Sequence, residues 1–91
     1  MPAAAAAGCS ATIVLCNPLG LHARPAAVLA GMVAGFDAEV RINGVNAASV
    51  LELMKLGAAG GREVTVTTTG PEAARAVEAV AAAILAGFGE A

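Results

Sequence analysis

Residues 17–28 read NPLGLHARPAAV and hold the chain's one histidine, His22, with Arg24 and Pro25 close behind it. Proline is tolerated in the first turn of a helix because the amide proton it lacks would have no partner there anyway. The segment therefore predicts a helix that begins at Ala23 and has His22 as its N-cap. The first amides of such a helix have no intrahelical acceptor, and with the helix dipole they form a place where an anion is favoured. Arg24 adds a planar cationic fork beside it. The same field disfavours imidazolium, so His22 is expected to keep a neutral ring around neutral pH, with a nitrogen lone pair available for attack. An imidazole so placed can accept a phosphoryl group, and the amides of Ala23 and Arg24 and the Arg24 guanidinium can stabilise the new charge. The blander reading is a histidine that only caps a helix, with Arg24 a solvated surface residue; spacing alone favours that one.

A second motif, Ser49-Val-Leu-Glu52, fits a capping box, in which the serine hydroxyl accepts from the Glu52 amide and the glutamate reaches back to the serine amide. It predicts a short helix over 50–56 stopped by Gly57. The run Gly57-Ala-Ala-Gly-Gly61 reads as a helix stop and a turn, not as a phosphate cradle.

Both motifs must be positioned by a small set of elements. CSATIVLC, residues 9–16, is a strand with Ala11, Ile13 and Leu15 on one face and Thr12 and Val14 on the other. Asn-Pro-Leu-Gly breaks it. The first helix spans about residues 23–34, its inward stripe being Ala26, Leu29, Ala30 and Val33. Gly35 ends that helix and Phe36 supplies an apolar plug. Ala38, Val40 and Ile42 alternate with Glu39 and Arg41 in a strand with one wet face. Asn43-Gly44 signals a tight hairpin with a return strand over 45–47. Val64 and Val66 alternate with Thr65 and Thr67 in a fourth strand. Gly70-Pro71 then precedes a long terminal helix with Val77, Val80, Ile84 and Phe88 inward and Glu72, Arg75 and Glu78 on its wet side. The order β-α-β-β-α-β-α, with a polar sheet face and three helices for the other face, is that of an α+β open-faced sandwich. The division expected is a flexible alanine-rich tail over 1–8 and a single domain over 9–91.

Composition narrows the classes. A chain of 91 residues buries only about 60–65% of the surface its unfolded form exposes, so any chemistry must use few groups or be completed by a partner. Much of the 58% hydrophobic content is alanine, and no stretch reaches the ~18 strongly apolar residues of a spanning helix. Membrane insertion is therefore not expected. The opening residues lack the charged and apolar regions of a signal peptide, which implies the cytoplasm. A net charge of −2 with five scattered basic residues gives no stripe for nucleic acid. Cys9 and Cys16, seven apart in one expected strand, would lie on opposite faces roughly 20 Å apart at ~3.3 Å per residue, so they cannot pair with each other. Two cysteines and one histidine also fall short of a zinc set, and no metal or cofactor is expected. A self-contained enzyme is disfavoured, because the chain has no Walker loop, no paired carboxylates and no nucleophile with its base.

Gly-Leu-His-Ala-Arg-Pro-Ala-Ala, residues 20–27, resembles the active-site signature of HPr, the histidine-containing phosphocarrier of the bacterial phosphoenolpyruvate:sugar phosphotransferase system. The segment VNAASVLELMKLG, residues 45–57, is similar to that family's regulatory-serine region. The resemblance implies that His22 accepts a phosphoryl group on Nδ1 from phosphorylated enzyme I and passes it to enzyme IIA domains, with Arg24 helping to hold and release it. It further implies a stoichiometric carrier, monomeric, that docks through Val50, Leu51 and Met54 beside the histidine. Ser49 matches the serine that a dedicated HPr serine kinase phosphorylates in some bacteria, and without such a kinase Ser49 is a helix cap. The chain departs from the family in a shorter segment between Phe36 and Ser49, and in Ala27, Gly31 and Ala34 where lysines are common. Docking should then depend less on charge and more on apolar contact. Three other readings stand beside this one. The first is a phosphoryl donor domain of a dedicated route such as dihydroxyacetone kinase. The second is a regulatory adaptor acting by docking alone, against which the intact His-x-Arg-Pro argues. The third, an acyl carrier loaded at Ser49, fails because Ala48 stands where an acidic partner is needed.

Overall fold

A computed structural model describes residues 8–15, 23–56 and 61–89. Its elements are β1 (Cys9–Val14), α1 (Ala23–Val33), β2 (Glu39–Ile42), β3 (Val45–Asn46), α2 (Val50–Leu56), β4 (Glu63–Thr69) and α3 (Ala73–Leu85), followed by a short 3-10 turn, Gly87–Gly89. The four strands form one antiparallel sheet in the order β1-β4-β2-β3, with the helices on one side, as the alternation of apolar and polar residues predicts. The expectations for the opening tail, for Cys16 and for the turn from Gly57 fall on residues outside those described, apart from Gly8 and Gly61. Cys9 is a half-buried free thiol.

In β1, β2 and β4 alternate residues turn inward because successive side chains point to opposite sheet faces. In β4, Val64, Val66 and Thr68 are buried while Glu63, Thr65, Thr67 and Thr69 face outward. Thr68 is the buried polar residue of the described core, and its hydroxyl is satisfied by donating to the Ala73 carbonyl at 2.8 Å. That bond ties the end of β4 to the start of α3. On α1 the buried residues are Pro25, Ala26, Leu29, Ala30 and Val33, so the helix presents its predicted stripe inward. Asn43 and Gly44 both have left-handed φ, 49° and 87°. A two-residue hairpin requires this, and it sets Ile42 against Val45.

The terminal helix differs from expectation at both ends. Glu72 lies before α3 rather than on its wet side, with φ −109°. Its backbone N–H donates to the Asp37 carbonyl at 3.0 Å and its carboxylate accepts the Asp37 N–H at 2.7 Å. Glu72 thus clamps the loop before β2 to the loop after β4. The two loops come so close that a Cβ on Gly70 (φ 115°) would stand 3.1 Å from the Ala38 Cα, which accounts for a glycine before Pro71. At the other end, Phe88 is not part of the helix. Gly87, at φ 65°, turns the chain after Leu85, and Phe88 follows in the left-handed region at φ 56° to pack back on the core. The buried stripe of α3 is instead Ala73, Ala76, Val80 and Ile84, with Val77 half-buried. Alanines carry half of it, which is why periodicity read from large residues placed it too late.

Candidate functional site

The head of α1 and the outer side of α2 are the places where exposed residues of the two sequence motifs gather. α1 begins at Ala23, with Ala23 and Arg24 exposed and Pro25 buried under them. His22, directly before Ala23 in sequence, lies outside the described residues, so its expected capping role is not part of the described geometry. Arg24 and Val28 are one turn apart on the outward face of α1, and Val28 is exposed despite being apolar. Sequence reasoning did not single out Val28; the available signal was a valine standing outside the helix's inward stripe.

α2 packs against α1. Its one fully buried residue, Leu53, faces the core, and Leu56 is half-buried beside it. Val50, Leu51 and Met54 point away from the core and are exposed, Leu51 to 65%. The three predicted docking residues therefore form one apolar strip on the outer surface. With Val28 they are four of the exposed large apolar residues among those described.

Ser49 caps α2, since its carbonyl accepts the Leu53 N–H at 3.0 Å and its hydroxyl accepts the Glu52 N–H at 3.2 Å. The other half of the expected box is not made. The Ser49 amide already donates to the Asn46 carbonyl at 3.1 Å, and the Glu52 carboxylate reaches past it to accept the Asn46 N–H at 3.1 Å. The Asn46 side chain in turn accepts the Ala48 N–H at 3.0 Å. The turn after β3 is folded so tightly by Asn46 that the serine amide is satisfied before the glutamate can reach it. Glu52 consequently ties the helix to the sheet edge instead of closing a local box. Among the described residues no three His, Cys, Asp or Glu side chains group as a metal site, and no helix is long and apolar enough to cross a membrane.

The family described as the PTS HPr component phosphorylation site matches residues 9–85. Phosphocarrier protein NPr of Escherichia coli K12 is 42% identical over 84 residues, covering 87% of this chain and 93% of its own. Phosphocarrier protein HPr of Chlamydia muridarum is 38% identical over 85 residues, covering 89% and 82%. The crystal structure of HPr-C-His from Thermoanaerobacter tengcongensis superposes with a TM-score of 0.86 at 32% identity, covering 91% of this chain and 98% of that one. A family match across both motifs, relatives of this identity along nearly their whole length, and the same open-faced sandwich together lead to one conclusion: the chain belongs to the HPr family of phosphotransferase-system phosphocarriers.

Proposed function

We propose that this chain carries a phosphoryl group on His22, taking it from phosphorylated enzyme I and passing it to enzyme IIA domains. The observation that carries the reading is the family match over residues 9–85, which spans the His22-Ala-Arg24-Pro25 segment at the start of α1. In the accepting step the His22 Nδ1 lone pair attacks phosphorus while the bond from phosphorus to the donor breaks. In the delivering step the bond from Nδ1 to phosphorus breaks as the acceptor attacks, and His22 returns to its starting state. The transferred group is anionic throughout. The free amides of a helix start and the nearby guanidinium favour it most where its charge is least shared with the departing or arriving nitrogen. The protein acts as a stoichiometric carrier, and its partners supply the other half of each transfer site. Incubation with enzyme I and phosphoenolpyruvate, followed by mass analysis and an acid-lability assay, tests the reading directly. A gain of one phosphoryl group that is lost in acid supports it, and an unmodified mass overturns it.

Arg24→Ala is expected to slow labelling roughly 10- to 100-fold, the size of one charge-assisted hydrogen bond, without abolishing it, because the helix amides remain. An unchanged rate would make Arg24 a bystander. A loss as complete as that of removing the histidine would mean that the guanidinium, not the helix end, is the main support of the phosphoryl group.

Ser49 is proposed as a docking switch where a serine kinase acts on it. A phosphate there adds about −1.5 to −2 charges at a helix start that tolerates them, but next to Val50, Leu51 and Met54, which must lose water when a partner docks. Ser49→Asp is expected to keep the unfolding midpoint within a few degrees, since aspartate also caps well. It should lower His22 labelling about tenfold, the equivalent of ~1.4 kcal/mol of docking energy. Equal labelling rates would leave Ser49 a structural cap.

A further inference from the structure

The apolar strip on α2 has a charged rim, and one member of that rim is held in place. Glu52 lies about 100° round the helix from Leu51, on the side of β3. Its carboxylate accepts the Asn46 N–H at 3.1 Å while its own N–H donates to Ser49 Oγ at 3.2 Å. Both ends of the residue are thus fixed before any partner arrives. The side chain is nevertheless exposed, and among the described residues the salt bridges run from Arg41 to Glu39 and from Arg75 to Glu72, with none to Glu52. A carboxylate that is immobilised, solvent-facing and unpaired at the edge of a docking strip has already lost the side-chain freedom that a surface ion pair normally sacrifices. It is ready to pair with a cation brought by the partner.

We propose that Glu52 is a specificity-determining residue at the rim of the docking strip, selecting a phosphoryl-donor surface that sets a lysine or arginine beside an apolar socket for Leu51 and Met54. This rests on the carrier reading above. The charge acts on encounter and on choice of partner: a basic rim is attracted, and an acidic rim meets a fixed like charge. The strip is then not electrically neutral, as the loss of lysines from α1 alone would suggest.

Glu52→Gln separates charge from capping, because the glutamine carbonyl can still accept the Asn46 N–H. With purified carrier as the varied substrate of enzyme I and phosphoenolpyruvate, the variant is expected to raise KM about three- to tenfold at low salt with kcat unchanged, and to converge on wild type at about 0.5 M salt, where exposed pairs are screened. Glu52→Lys should raise KM further. Circular dichroism melting of Glu52→Gln within a few degrees of wild type shows that the cap is kept. An equal or lower KM for Glu52→Gln, or a rise that persists undiminished at high salt, overturns the proposal. Wild-type protein that takes no phosphoryl group overturns the carrier reading and this proposal with it.

Discussion

His22→Ala is expected to take up no phosphoryl group from enzyme I and phosphoenolpyruvate, at any time of incubation, while still folding. The loss is complete because the chain has one histidine. No second imidazole is present to take its place. The hydroxyl of Ser49 accepts the Glu52 amide, and an un-ionised hydroxyl is a far weaker nucleophile around neutral pH than an imidazole, so it does not substitute. The residue before a helix contributes about 0.5–2 kcal/mol as a cap, against a stability of about 5–15 kcal/mol for a small domain, so the variant retains its fold. Label retained by the purified alanine variant would place the acceptor elsewhere. Normal mass and melting with no label would identify the imidazole as the acceptor.

The inward faces of β2 and β4 are legible in the sequence because β-branched residues alternate there with polar ones, and that of α1 because Leu29 and Val33 mark a stripe that Ala26 and Ala30 complete. The Asn43-Gly44 hairpin is legible because few residues accept two successive positive φ values. What the sequence conceals are interactions between segments distant along the chain. Glu72 looks like an exposed helical acid until Asp37, 35 residues earlier, is seen to occupy its carboxylate. Phe88 falls on the α3 stripe by counting, yet Gly87 turns the chain before the count reaches it. Glu52 matches a local capping box whose other partner has already been satisfied by Asn46. In the candidate site the residue types and their order are readable, and Arg24, Val50, Leu51 and Met54 are exposed and Ser49 half-buried. That Glu52 is pinned to the sheet edge depends on tertiary geometry that no local pattern encodes.

Leu53→Ala is expected to be the most damaging single change for the docking face, although Leu53 never meets a partner. α2 has seven residues, far below the ~12–15 at which an isolated helix becomes even marginal in water, so tertiary contacts must hold it. Its polar attachments are exposed hydrogen bonds through Ser49 and Glu52, each contributing about 0.5–1.5 kcal/mol. Its main apolar attachment is Leu53, 0% exposed and part of the central cluster, with Leu56 only half-buried beside it. Truncating a buried leucine to alanine destabilises by about 2–5 kcal/mol. At about 4–8 °C per kcal/mol for a domain of this size, the unfolding midpoint should fall by roughly 10 °C or more. The effect on transfer should appear even well below that midpoint. With its main apolar attachment cut back the helix opens locally more often, and Val50, Leu51 and Met54 no longer present a fixed strip. Labelling of His22 should slow through a higher KM for the carrier, while kcat at saturation changes little because the head of α1 is untouched. Amide exchange measured over α2 separates this from global unfolding: protection should collapse across residues 50–56 and persist in β4 and α3. A melting loss without a change in KM would mean that the strip survives the loss of its buried residue, and that α2 is held mainly by its hydrogen bonds to β3.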